Sequence, residues 1–424
     1  MEQVNGNVIT TGDIKLMSWY DNMCRKMVFK HFSDMSNACI EVIEGATTHQ
    51  FGDVHSPLIG QVVIHDVRVY RDFVKGGSIG AAESYIAHRW SSPNLTALIR
   101  VFAKNQQAMD ELEGKATWLT KLKYRWTHYR HNNSEQGSKR NILAHYDLGN
   151  SLYKTFLDQE MMYSCALYDQ QSTTIESAQL NKLKVVCEKL ELQPSDHLLE
   201  IGTGWGGLAI YAATNYGCKV TTTTISDEQY EYAKHRITEL GLDKQITLLK
   251  KDYRQLTGQY DKLVSIEMIE AVGDEYFSTF FTQCNRRLKA DGKLLIQSIT
   301  IADQRYEQYK NSVDFIQKYI FPGGCLPSIE VLSRHISCDT DMMIEQIDEM
   351  GLHYARTLSE WQQRFQAAWP ELEPLGYDMQ FKRLWQYYLS YCEGAFLERV
   401  ISTHHIVARK PQYLGRDDEK VLDY

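Results

Sequence analysis

Residues 198–213 read Leu198-Leu-Glu200-Ile-Gly202-Thr-Gly204-Trp-Gly206-Gly207-Leu-Ala-Ile-Tyr-Ala-Ala213, and this stretch decides the fold. Leu198 to Ile201 is an apolar segment of strand type, and Leu208 to Ala213 starts a helix. The glycines between them let the backbone turn sharply and approach a ligand closely. Strand, glycine turn and helix together form a cradle for a nucleotide-like cofactor. An acidic residue just before the first glycine, Glu200, is not the dinucleotide pattern. A carboxylate there can meet a ligand's ammonium group, which points to S-adenosylmethionine (SAM) rather than NAD.

Working outward, strands and helices alternate. Lys219 to Ile225 is a β-branched strand, and Asp227 to Leu240 is a helix with acids in its first turn. Strands at 246–249, 262–266 and 292–299 and a helix from Tyr276 to Leu288 continue the pattern. It implies a parallel, doubly wound α/β sheet, Rossmann-like in form. A helix at about 175–192 precedes the turn, and His145 to Phe156 reads as helix. Residues 303–350 interrupt the alternation around a turn at Pro322-Gly-Gly324. A helical insertion there covers the carboxyl ends of the strands as a lid. Tyr354 falls in a short segment that could rejoin the sheet. Gln380 to Val400 is a long aromatic helix and Thr403 to Arg409 the last strand.

Upstream lies a smaller α+β module. The spacing of Leu16, Trp19, Met23, Met27 and Phe32 predicts a helix over 14–47, residues 50–74 alternate as strands, Gly76-Gly-Ser-Ile-Gly80 breaks that pattern, and helices follow at 81–88 and 94–109. The chain thus divides into an N-terminal lipid-binding or accessory domain over 1–115, a basic aromatic linker over 116–140, a cofactor-binding domain over 141–412 and a polar tail over 413–424. Between Gly114 and Arg140, seven Lys and Arg residues face one acid, Glu135, with Trp118, Tyr124, Trp126 and Tyr129 interleaved. That mixture suits an anionic membrane surface. A solvated helix and linker is the alternative.

Over its 424 residues the chain carries a formal net charge of −8, which argues against a dedicated nucleic-acid binder. Nine scattered cysteines read as reduced thiols of a cytosolic protein. No apolar run is long enough to span a bilayer. The expectation is a cytoplasmic protein that associates peripherally with membranes.

Candidate site residues follow the strand ends. Gly202, Gly204 and Gly206 shape the turn. Thr224 and Gln229 can hydrogen-bond the ribose hydroxyls or methionine moiety of SAM, and Tyr253 can flank the adenine. Glu270, in Glu267-Met-Ile-Glu270-Ala-Val-Gly273, faces both cofactor and substrate. Glu267 is placed behind it, towards the sheet.

The second module resembles the cyclopropane-fatty-acyl-phospholipid synthase family. The matching stretches are the segment from His145 to Asn150, Met162-Tyr-Ser-Cys165, the cofactor turn, Ile269-Glu-Ala-Val-Gly273, Lys318-Tyr-Ile-Phe-Pro-Gly-Gly-Cys-Leu-Pro-Ser328, and Tyr387-Tyr-Leu-Ser-Tyr-Cys-Glu-Gly-Ala-Phe396. The first module is similar at Gly76 to Gly80 and Trp90 to Leu98. The resemblance implies transfer of a methylene, derived from the SAM methyl group, to a cis double bond of an unsaturated phospholipid acyl chain. It also implies a bound bicarbonate as the base that deprotonates the carbocation. On this resemblance Tyr163 and Ser164 help hold SAM. The bicarbonate pocket maps to Cys165 through its backbone amide, Glu270, Gln297, the backbone at Ile299, and Tyr354. Cys392 matches a cysteine near the site and reads as structural. The expected partners are phospholipids at the membrane surface and, by resemblance, a second copy of the chain. Most bacterial members carry His where Gln297 stands, so a methyl-branched product is an open alternative. On this reading, Glu270→Gln abolishes turnover while SAM binding persists. Two other readings remain, a methyltransferase acting on a small amine and a catalytically silent lipid-binding or scaffold protein.

Overall fold

A computed structural model describes residues 17–105, 137 and 149–415. The basic aromatic tract, apart from Gly137, and His145 to Leu148 lie outside the described residues. The chain forms two compact units. The first comprises residues 1–127, 312–320 and 365–400, and the second 128–311, 321–364 and 401–424. Two segments of the expected cofactor-binding domain over 141–412, 312–320 and 365–400, group with the first unit.

In that unit, β1 (Cys39–Glu44), β2 (Thr47–Gly52), β3 (Ile59–Ile64) and β4 (Trp90–Ser91) form a sheet in the order β2-β1-β3-β4. The expected helix over 14–47 ends at Ser33, since Cys39 to Glu44 alternates buried and exposed as a strand. Val69 opens a helix rather than closing a strand. This helix, Val69–Ile86, runs through the glycine-rich stretch with a kink at Gly77, where φ is 54°. A Cβ on Gly80 would lie 2.2 Å from the carbonyl oxygen of Asp72. These glycines serve close packing. Helix Met379–Leu397 packs on helix Leu95–Lys104, and a Cβ on Gly394 would meet Ile99 at 2.7 Å. Thr96 donates to Glu393 at 2.8 Å and Arg100 to Glu398 at 2.6 Å across the same contact.

The second unit holds a seven-stranded sheet of β5 (His197–Ile201), β6 (Lys219–Thr224), β7 (Ile246–Lys250), β8 (Tyr260–Ile266), β9 (Leu288–Ile301), β10 (Met343–Glu349) and β11 (Ile401–Arg409). The order is β10-β11-β9-β8-β5-β6-β7, and β5 to β9 are parallel while β11 runs antiparallel to both neighbours. This is the doubly wound sheet that the alternation implies. Strand alternation divides its side chains between two cores. Leu199, Leu263, Leu294 and Ile406 pack with Phe277, Phe280 and Phe281 on one face. Leu198, Val220, Val264, Leu295 and Val407 pack with Leu183, Val186 and Leu208 on the other. The strand that rejoins the sheet after the insertion is β10; Tyr354 lies beyond it, on helix Gly351–Ala367. The order reverses at β5, with β6 on one side and β8 on the other, so the glycine turn sits at the switch point where such sheets bind ligands.

Candidate active site

The glycine turn has the shape its sequence demands. Gly202, Gly204 and Gly206 have φ of 103°, 53° and 91°, a region side chains disfavour. The backbone N–H groups of Gly202 and Thr203 both donate to the Thr223 carbonyl at 3.0 Å, which ties the turn to β6. A Cβ on Gly206 would press on Ala233 at 3.2 Å, whereas nothing lies within 4 Å of one on Gly204. Helix Gly207–Tyr216 begins without a capping side chain. An open glycine edge and an uncapped helix start fit a ligand bearing a carboxylate. SAM is such a ligand, and the turn fits it.

The flanking cofactor candidates are more self-contained than expected. Glu200 is 2 % exposed, and Thr222 donates to it at 2.5 Å. In this structure its partner is a neighbouring strand, not an open ligand edge, and burial pushes its carboxyl up to about 8. The Thr224 hydroxyl donates to the Gln229 side-chain carbonyl at 2.9 Å, so the two rim residues hold one another at the end of β6. Tyr253 is packed into the core edge-on to Phe280, with its hydroxyl buried and unpartnered, so it presents no open face for an adenine. Ser164 is buried, and its hydroxyl accepts from Lys182 at 2.9 Å. The Tyr163 ring is half-buried among Tyr153, Phe156, Phe321 and Trp361.

Beyond the end of β8 the structure departs most from expectation. Glu267 does not point behind Glu270. Its Oε1 accepts from the Cys165 backbone N–H at 3.0 Å and from the Gln297 amide at 2.7 Å, and its Oε2 accepts from the Tyr354 hydroxyl at 2.7 Å. Its own N–H donates to the Gln297 carbonyl at 2.8 Å, and its φ is 47°. A non-glycine residue held in that conformation is strained, and such strain persists where surrounding contacts fix it. Glu270 lies three residues on. Its Oε1 accepts from the Ile299 N–H at 2.5 Å and lies 3.0 Å from the Ser298 hydroxyl, while its Oε2 is enclosed without a partner. The turn within the insertion lies against it, with the Cys325 N–H donating to the Glu270 carbonyl at 2.8 Å.

Thus the structure brings Cys165, Gln297, Ile299, Tyr354 and Glu270 together, with Glu267 in their midst. Cys165 contributes its amide; its thiol donates to the Ala166 carbonyl at 3.2 Å and is held well above its ordinary value by burial. Cys392 sits in the first unit, on helix Met379–Leu397, and is not among the residues that the second unit gathers. Burial raises the carboxyl of Glu267, against the pull of its three donors. Burial and the neighbouring Glu267 charge push Glu270 up to about 8.

Two further residues complete the cluster, and sequence reasoning passed over both. Lys182 is fully buried, and burial lowers its ammonium to about 8 despite the pull of Glu267 and Asp158. His405, on β11, pairs in register with Gln297 on β9. Its Nε2 lies 2.9 Å from Gln297 Oε1 and its Nδ1 2.9 Å from Lys189 Nζ, which also donates to Asp348 at 2.7 Å. The ammonium can only donate, so Nδ1 accepts and Nε2–H donates to Gln297. That fixes the amide's orientation, with its N–H aimed at Glu267. The buried lysine had one signal in sequence, a Lys at helical spacing within an apolar face. The histidine had none, since its role comes from strand register.

A bicarbonate held by Cys165, Gln297 and Tyr354 does not fit this arrangement. The donors assigned to it are already spent on the Glu267 carboxylate.

The family described as mycolic acid cyclopropane synthetase matches residues 133–406. The chain is 37 % identical over 387 residues to the cyclopropane-fatty-acyl-phospholipid synthase of Escherichia coli, covering 88 % of this chain and 97 % of that one. It is also 37 % identical over 328 residues to the tuberculostearic acid methyltransferase of Mycobacterium tuberculosis, covering 76 % of each. Among solved structures, mycolic acid cyclopropane synthase CmaA1 complexed with SAH and CTAB superposes with a TM-score of 0.60 at 29 % identity, covering 64 % of this chain and 98 % of that one. The fold, the glycine turn and these relatives agree, and the chain belongs to the mycolic acid cyclopropane synthetase family of SAM-dependent methyltransferases.

Proposed function

We propose that this protein builds a cyclopropane ring on a cis double bond of an unsaturated phospholipid acyl chain. The observation that carries the reading is the half-buried carboxylate pair Glu267 and Glu270 beside the glycine turn. An alkene is a weak nucleophile, and methylating it leaves a carbocation that must lose a proton from carbon in a site shielded from water. SAM, when bound, supplies the methyl group as an electrophilic sulfonium. The chain's own residues do the rest. Gly204 leaves room for the cofactor against the backbone, while Gly202 and Gly206 let the turn close against Met268 and Ala233. Tyr153, Phe156, Tyr163 and Trp361 pack into one aromatic cluster that excludes water, with Tyr163 lying 5.3 Å from both Tyr153 and Trp361. Glu267 supplies negative charge fixed in advance of the cation.

The acceptor's identity rests on the Escherichia coli relative, which aligns over 88 % of this chain and 97 % of its own length. No helix among the described residues is long and apolar enough to cross a membrane. The proposal has the substrate reached at the membrane surface, and the basic aromatic composition of 116–140 supports peripheral contact there. A dimer remains part of the proposal on resemblance alone. A second reading, a methyl-branched product, is favoured by the similarity to the tuberculostearic acid methyltransferase.

Mass spectrometry of lipids from cells expressing the chain tests the proposal. The expected result is a gain of one CH₂ with loss of the alkene. A gain of CH₂ with the alkene retained supports the second reading. Label from SAM confined to the aqueous fraction refutes both and favours a small-amine acceptor.

A further inference from the structure

We infer that Glu267 is itself the base of the reaction, its carboxylate taking the seat that the resemblance gives to bicarbonate. The inference rests on the cyclopropanating function proposed above. Three donors from three separate elements converge on this one side chain: the Cys165 amide, the Gln297 amide on β9 and the Tyr354 hydroxyl on helix Gly351–Ala367. An anion site of that kind is built for a carboxylate-sized group, and the chain fills it covalently. The strained backbone at φ 47° delivers the side chain there. Oε1 accepts two hydrogen bonds and Oε2 only one, so Oε2 keeps an acceptor position for a proton.

The step balances as follows. The alkene π pair bonds to the methyl carbon as the carbon–sulfur bond breaks, and that bond's pair leaves with sulfur. The cation left on the second alkene carbon accepts the pair of a C–H bond of the new methyl group, which closes the ring. The proton released goes to Glu267 Oε2. A C–H group beside a carbocation is so acidic that even a carboxylate weakened by three donors suffices; what the step requires is position. Glu270 then need not be the base. It shares the enclosure and holds Ile299 and Ser298.

The test uses the full chain with SAM and vesicles of an unsaturated phospholipid, in buffer freed of carbon dioxide, with and without added bicarbonate. Product is read by mass spectrometry, and bicarbonate binding by calorimetry without SAM. Wild type is expected to keep its rate within about twofold when bicarbonate is removed and to give no heat of bicarbonate binding. Glu267→Gly, which suits a positive φ, is expected to lose at least about 100-fold in turnover. Added bicarbonate or formate should restore tenfold or more, and the variant should acquire a heat of bicarbonate binding. Glu267→Gln should lose turnover to a similar degree while keeping SAM affinity and melting temperature. Bicarbonate dependence or bicarbonate heat in wild type overturns the inference. So does wild-type turnover in either variant, or loss of SAM binding in Glu267→Gln. Wild type that modifies no lipid refutes the proposed function instead, and the calorimetry still decides whether Glu267 fills the anion's seat.

Discussion

Each unit withdraws glutamate from solvent, fully at Glu44 and in part at Glu267 and Glu270, and the two settings are solved in opposite ways. In the first unit Glu44, at the end of β1 and 1 % exposed, receives Arg25 at 2.8 and 2.5 Å, the Tyr70 hydroxyl at 2.5 Å and His49 at 3.1 Å. Burial alone would raise its carboxyl, but the hydrogen bonds from Arg25 and Tyr70 prevail and hold it below the ordinary value. In the second unit Glu267 and Glu270 stand three residues apart with neutral donors, and both are raised. A buried carboxylate given a guanidinium is a structural joint. A half-buried pair denied one, with Glu270 holding the proton, leaves Glu267 as a carboxylate without a guanidinium partner, which is the arrangement a transient cation needs.

The sharpest way to break this comparison lies within the pair. If Glu267 carries the charge and Glu270 the proton, an amide imitates Glu270 well and Glu267 badly. Glu267→Gln is expected to cost about 10²–10³ in kcat, and Glu270→Gln only about tenfold, each measured by lipid mass spectrometry at neutral pH. This departs from the sequence-based expectation that Glu270→Gln abolishes turnover. Equal losses in the two variants would erase the distinction.

Why the sequence leads to Glu270 first is instructive. Glu200, the glycines, Thr224 and Glu270 all lie at or just beyond strand ends, and strand ends are readable from apolar runs and turns. Six of the seven strands of the second sheet, β5 to β9 and β11, were legible in this way; their order was not, and β10 lay hidden inside the interruption at 303–350. The direction of Glu267 was not, because it depends on one backbone angle of 47°. Tyr354 was placed near the sheet, yet it reaches Glu267 from a helix. The exchange of 312–320 and 365–400 into the first unit was equally hidden. Helix Met379–Leu397 shows an apolar aromatic face, but a face does not name its partner. Close approach at Gly394 does, and that is a tertiary fact.

Glu44 offers the converse test. Glu44→Gln removes the anion from a largely buried ion pair and leaves Arg25 short of a partner. The expected loss of stability is about 3 kcal/mol, read by denaturant unfolding, with the kcat of the folded enzyme unchanged. A fall in kcat without loss of stability would make the first cluster more than a joint.

Melting temperature against pH separates the two clusters by sign. Glu44, lowered on folding, contributes stability that is present above the ordinary carboxylate value and is lost as pH falls through its folded value. Glu270, raised from 4.5 to about 8, binds its proton more tightly when folded. Between those values the folded state holds more protons than the unfolded one, so stability falls as pH rises through that window. Glu270→Gln should flatten the decline between about pH 5 and 8, and Glu44→Gln should flatten the acid limb. A Glu270→Gln melting profile that still declines as wild type does would show that Glu270 is not the group holding the proton.

The smallest expected effect lies one residue behind the pair. His405 touches neither carboxylate; it fixes the Gln297 amide, which donates to Glu267. Its ring is fully enclosed, and burial, with Lys189 close by, keeps it neutral well below its ordinary value. It therefore acts as a fixed donor and not as a titrating group. His405→Ala frees Gln297 to turn its carbonyl towards Glu267, which replaces an attraction with a repulsion. The expected cost is about tenfold in kcat, of the order of one hydrogen bond to a charged group, with KM for SAM unchanged. His405→Asn, whose amide can still donate to Gln297, should recover part of it. If His405 merely filled space, the two variants would instead track the volume they remove and would lower the melting temperature without a selective loss of kcat. In the first unit no such indirect tuning is expected, because Arg25 meets Glu44 directly and with a full charge.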